Sequence, residues 1–184
     1  MTTRLRPVDL ETTTDRTREL LAAVQADLGM VPNLIRTMAH SPAVLEGYLG
    51  LSRALATGRL PTTPREQIAL VVAELNGCAY CLAVHGALGR MAGLSEEAVR
   101  DSRQGVSPDR AVEAALHFAR RVVNQRGQVD DQDVARLRRA GYGDGEITEI
   151  VGQVALSVFT NYFTQVAGTA VDFPMVPDPG PRRA

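Results

Sequence analysis

Apolar side chains recur along this chain at helical spacings of three and four, and punctuation suited to helix ends separates the runs. Asp15 to Leu28 reads as a helix closed by Gly29, with a Met-Val-Pro-Asn turn after it. A second helix is expected from Pro42, behind a Ser41 cap, to Thr57, closed by Gly58. Val44, Leu45, Tyr48, Leu49, Leu51 and Leu55 would form its buried stripe. Thr63-Pro64-Arg65-Glu66 has the form of a capping box, opening a helix through Leu75 that Asn76-Gly77 interrupts.

A further helix is predicted from Cys78 to about Ala92, ended by Gly93, and Ser95 caps a short one after it. Ser107-Pro108 opens a helix over Ala111 to Asn124, and Asp130 to Ala140 makes a shorter one closed by Gly141. The stretch from Gly145 to Gly168 is rich in Val, Ile and Phe, which local preference would read as strand. Its length and a cap at Asp144 favour a buried helix. With no internal repeat and no hairpin dipeptide between alternating runs, the fold class is an all-α bundle. Residues 1–172 are expected to make one helical domain, with 1–14 as a flexible N-terminal arm and 173–184 as a proline-rich tail.

Composition narrows the function more than the fold. At 184 residues and 45% hydrophobic content the chain can bury a core without staples. A net charge of -1 with scattered signs gives no reason to expect nucleic acid or an anionic membrane surface as partner. All 20 basic residues are Arg, and they line no single face. The N-terminus lacks an apolar h-region and no run is long enough to span a bilayer, so a cytoplasmic protein is expected. In that setting two cysteines three residues apart point to redox or metal chemistry rather than to a structural disulfide.

The informative segment runs from Glu66 to His85. At ~100° per residue, Cys78, Cys81 and His85 fall within an arc of roughly 60° on one helix face, while Tyr80 lies on the far side. A free thiol titrates near ~8.5, so it needs help to become the nucleophilic thiolate. Asn76 as cap would leave the positive end of the helix beside the cysteines, and His85 can take or return a proton. Such a thiolate attacks a peroxide O–O bond to give a sulfenic acid, which a second thiol condenses to a disulfide.

Other readings stay open from the residues themselves. A zinc site would need ligands beyond Cys78, Cys81 and His85, with only His40, His117 and carboxylates on offer. Both cysteines could be structural, and Glu66 could be no more than a capping-box residue. Glu74 would share the cysteine face only if the helix ran unbroken through Asn76-Gly77. His40 and His117 read as structural, Phe159, Tyr162 and Phe163 as core or subunit contact, and Asn161 as polar glue among them.

These residues resemble the AhpD-like alkylhydroperoxidase and carboxymuconolactone decarboxylase superfamily, especially its peroxidase-related branch. The likeness rests on a glutamate, Glu66, twelve residues before the first cysteine of Cys78-x-x-Cys81-x-x-x-His85, supported by VPNLIRTMAHSP and FTNYF. It implies an AhpD-like helical bundle assembled as a trimer or hexamer, using no metal, flavin or haem. It also implies a small-molecule peroxide as substrate and a thioredoxin-like or lipoyl-type dithiol as electron donor. By analogy Cys81 is the peroxidatic thiol, Cys78 the resolving thiol, and His85 with Glu66 the proton relay. Tyr80 stands where some relatives carry a relay histidine, and is grouped with the site on that ground. Decarboxylases proper lack the cysteine pair, which argues against that reaction here.

Overall fold

The computed structural model describes residues 2–10, 13 and 15–177. Among these it contains nine helices and no strand: α1 (Asp15–Leu28), α2 (Asn33–Met38), α3 (Pro42–Ala56), α4 (Thr62–Leu75), α5 (Ala79–Met91), α6 (Glu96–Gln104), α7 (Arg110–Asn124), α8 (Asp131–Arg139) and α9 (Asp144–Ala167). The chain is therefore all-α, as its hydrophobic spacing requires.

Helix α4 is the axis of the bundle and packs against α5, α6, α7 and α9. Ile68 to Ala73 are each 0% exposed, so this helix is apolar on nearly every side. It separates two cores. One gathers Leu116, Leu137, Ile150 and Val154 from α7, α8 and α9. The other gathers Leu21, Ile35, Met38 and Leu45 with Cys78, Tyr80 and Cys81.

Several helix ends follow the local code. Ser41 accepts from the Val44 N–H with Pro42 in the first turn, Ser95 accepts from Ala98, and Asp130 and Asp133 form a reciprocal capping box. Others differ from expectation. The Met-Val-Pro-Asn segment leads directly into helix α2, whose first N–H, at Asn33, donates to the Asp172 carboxylate. The Thr63 capping box does not form: Pro61 precedes α4, no side chain caps it, and Glu66 turns inward to His85 instead. Asp109 rather than Ser107 caps α7. Glu146, reaching back to the Gly143 N–H, opens α9 in place of Asp144. In α3 only Leu45 and Leu55 of the expected stripe are buried, whereas Val44 and Leu51 face outward because α3 meets the bundle along a narrower edge.

The chain ends pack on the bundle where they are described. Arg4 and Leu5 donate backbone N–H groups to Ala167 at the end of α9, and Val8 donates to Arg36. At the other end Arg103 donates to the Pro177 carbonyl. The expectations for residues 1, 11, 12, 14 and 178–184 lie outside the described residues.

Candidate active site

The turn between α4 and α5 builds the site. Gly77 adopts φ +63, Gly77 N–H donates to Glu74 O and Cys78 N–H to Ala73 O, the paired bonds of a Schellman ending. The interruption expected at Asn76-Gly77 is thus a helix stop, and Glu74, on its far side, pairs with Arg103. Asn76 ends α4 and does not cap α5. Cys78 is itself the N-cap of α5, its sulfur accepting from the Cys81 N–H at 3.2 Å. The stop and the start are so close that no residue remains between them for a conventional cap.

Cys78 and Cys81 are joined as a disulfide and are 1% and 2% exposed. His85 Nδ1 lies 2.8 Å from Glu66 Oε2, which leaves Nε2 as the ring nitrogen available to the cavity. Cys81, His85 and Glu66 share a cavity of about 120 Å³ with Tyr48, Arg65 and Ser157. Leu34, Val84, Leu88 and Leu156 supply its apolar walls. Burial pushes the Tyr48 phenol up to about 12, with the Glu66 charge adding to the effect, so Tyr48 is a neutral hydrogen-bonding group.

Tyr80 does not stand apart from this group as its helical phase suggests. It lines the Cys81 cavity and also a second space, of about 390 Å³, into which Cys78 faces. Its hydroxyl accepts from the Leu34 N–H at 3.1 Å and its ring meets Phe173 edge-on. Burial drives its phenol well above the ordinary range, so it is held neutral.

Helix α9 contributes Thr164 and Gln165, which sequence reasoning did not single out. Thr164 Oγ1 is 3.1 Å from Cys78 Sγ and 3.7 Å from Cys81 Sγ, and it donates to Asn161 O. Asn161 Oδ1 accepts from Asn76 Nδ2, and Gln165 Nε2 donates to Asn76 O, so α9 pins the cysteine turn. The polar glue expected of Asn161 is this contact. A run of Asn161, Thr164 and Gln165 on a buried apolar helix was the available signal.

The remaining candidates lie elsewhere. His40 Nε2 is 2.8 Å from Arg6 O, and His117 lines a separate surface hollow with Arg136. Phe163 packs on the cysteine-bearing core, Phe159 touches Tyr48 and Phe163, and Tyr162 is 56% exposed. Among the described residues no group of three or more His, Cys, Asp or Glu side chains is placed to hold a metal ion.

The carboxymuconolactone decarboxylase family model matches residues 42–125, which include the whole Glu66 to His85 segment. In three dimensions the chain is similar to the alkylhydroperoxidase AhpD core of an uncharacterized peroxidase-related protein from Ralstonia eutropha. That likeness has a TM-score of 0.83 at 25% identity and covers 92% of each chain. An uncharacterized peroxidase-related protein from a Silicibacter species matches at 26% identity with a TM-score of 0.80, over 97% of this chain and 99% of its own. The debrominase Bmp8 shares the fold at 22% identity, with a TM-score of 0.78 over 94% of each chain. No curated protein sequence matches the chain.

Proposed function

We propose, since this chain belongs to the AhpD-like alkylhydroperoxidase and carboxymuconolactone decarboxylase superfamily, that it is a thiol peroxidase reducing organic or hydrogen peroxide through Cys81 and Cys78. The observation that carries this reading is the placement of Cys81 in one cavity with the hydrogen-bonded Glu66–His85 pair. Glu66 holds the Nδ1 side of the imidazole, which leaves Nε2 as the nitrogen for proton transfer. Reaction begins when the Cys81 thiolate attacks the terminal peroxide oxygen. An S–O bond forms, the O–O bond breaks, and the departing alkoxide takes a proton from His85. Cys78, whose Cα lies 5.3 Å from that of Cys81, then attacks the sulfenic sulfur, releasing water and giving the disulfide. A dithiol donor restores both thiols.

Three further features support the reading. The Cys81 N–H, which donates to Cys78 Sγ, and the positive end of α5 favour negative charge on sulfur. Cys78 faces a larger space than Cys81, suited to an approaching donor. Exposed Leu51, Phe159, Tyr162 and Val166 on α3 and α9 fit assembly of identical subunits, which sedimentation of the purified protein tests directly.

Stopped-flow measurement of peroxide consumption with a dithiol donor, followed by mass mapping of the oxidised cysteines, tests the proposal. Repeated turnover with a Cys78–Cys81 bond in the product supports it. Oxidation of one dithiol per chain and nothing more would make the protein a redox-responsive binding protein instead.

A further inference from the structure

The cavity beside Cys81 contains polar atoms that the described residues leave unsatisfied. Ser157 is 2% exposed and its hydroxyl oxygen has no hydrogen-bond partner, although helical serines commonly bond the carbonyl one turn back. Arg65 Nε is likewise buried and unpartnered, while the same guanidinium reaches Thr62 Oγ1 at 3.2 Å through its Nη2. Both side chains line the cavity that holds Cys81, His85 and Glu66.

A buried donor without an acceptor costs free energy, and two in one cavity call for an occupant that brings acceptor oxygens. The neighbouring carboxylates are committed elsewhere. Glu66 accepts from His85, and Glu149, which feels the Arg65 charge, accepts from the backbone N–H groups of Arg59 and Leu60. A guanidinium N–H and a hydroxyl that line one cavity are suited to a carboxylate, which forms charge-assisted hydrogen bonds with both. The space of about 120 Å³ also limits size. A dry cavity of ~150 Å³ admits the six carbons of benzene, so the occupant of this smaller space has about five or six non-hydrogen atoms. Leu34, Val84 and Leu156 would face its methylene carbon.

We infer, resting on the peroxidase reading above, that the substrate is a compact organic hydroperoxide carrying a carboxylate at the end remote from its O–O bond. Arg65 and Ser157 take the carboxylate while the terminal peroxide oxygen meets Cys81. The thiolate forms the S–O bond, the O–O bond breaks, and the alkoxide leaves with the His85 proton as a hydroxy acid. Cys78 then displaces water from the sulfenic sulfur, and the dithiol donor returns two electrons and two protons.

The test compares two probes of matched size, hydroperoxyacetate and 2-methylpropyl hydroperoxide, in which a carboxylate replaces an isopropyl group. With the whole chain, kcat/KM is expected to favour the carboxylate by about tenfold or more, the scale of one charge-assisted bond in a shielded site. Arg65→Gln should bring the ratio of the two close to one, Ser157→Ala should lower it several-fold, and Arg65→Lys should restore part of it. The disulfide form should also bind the product hydroxyacetate in titration calorimetry, with the Arg65→Gln protein binding at least tenfold more weakly. Turnover of both probes without preference, or a preference that survives Arg65→Gln, overturns this inference and leaves the peroxidase reading standing. Turnover of neither probe overturns the peroxidase reading and the substrate class with it.

Discussion

Cys81 opens on a cavity of about 120 Å³ that also holds Glu66, His85, Arg65 and Tyr48, whereas Cys78 opens on about 390 Å³ walled largely by Gly77, Thr164, Gln165, Gly168 and Ala170. Tyr80 is common to both and is the one ionisable side chain besides Cys78 on the second wall. The two sulfurs are bonded to each other, yet the groups that could move protons are gathered on one side of the pair. The other side offers room and neutral surface. A dithiol cycle needs such a division, because the oxidising step transfers a proton to a small leaving group while the reducing step admits a donor's sulfur. Placing Cys78 at the cap and Cys81 within the helix achieves it with a single turn of chain.

The strongest way to break this contrast is to remove one sulfur at a time. Cys81→Ser should abolish peroxide consumption, while Cys78→Ser should permit one oxidation and leave a sulfenic acid that a dimedone probe and mass spectrometry detect. Equal activity in both variants and the wild type would end the distinction between the two sides. Next in size, Glu66→Gln should lower kcat/KM for peroxide by about a hundredfold, the usual worth of a positioned proton-transfer group. A matching loss in His85→Asn, and no further loss in the double variant, would show the pair acting as one unit.

Thr164 belongs to both sides, so its variant sharpens the comparison rather than dividing it. Thr164→Val should slow the first oxidation by about tenfold and move the alkylation of both cysteines to higher pH, because it removes a hydroxyl that can turn its proton from Asn161 O to a neighbouring thiolate. A pH profile identical to the wild type would remove Thr164 from the site.

Smaller effects test the framework that holds the two sides together. Gly77→Ala meets no neighbouring atom, so its cost is that of an L side chain at φ +63, about 1 kcal/mol in denaturant unfolding. Gly47→Ala, in mid-helix with open space around it, should stabilise by a similar amount. Glu149 provides a pH test. The Arg59 and Leu60 N–H groups hold its carboxyl below the ordinary 4.5, so the folded chain prefers the ionised form. That contribution is complete above pH 4.5 and is lost as the pH falls through the lower folded value. On acidification below pH 4.5 the thermal midpoint of the wild type should therefore fall more steeply than that of Glu149→Gln.

Legibility in the sequence followed the range of the interactions. Helix α1 and the stop at Gly77 were readable because caps and left-handed glycines act within a few residues. Helix α2 was not, since six residues give too short a pattern and its first N–H is satisfied by Asp172, 139 positions away. The Glu66–His85 bond was open to two readings, because a glutamate three residues after Thr63 has the spacing of a cap until the inward turn of α4 is known. Thr164 meets the sulfurs across 86 and 83 positions, and nothing in its local sequence marks it as their neighbour.

By itself, then, the order of residues determined the helical class, most helix boundaries, and the nearness of two cysteines and an imidazole on consecutive turns. Those features arise from hydrogen bonds and side-chain spacing within one helix or one turn. Tertiary structure alone decided which sulfur faces the ionisable cavity, that α9 brings Thr164 to both, and that Arg65 and Ser157 look into the same space. Such outcomes depend on how separate helices pack around α4, and packing at long range is set by the whole core rather than by any short run of residues.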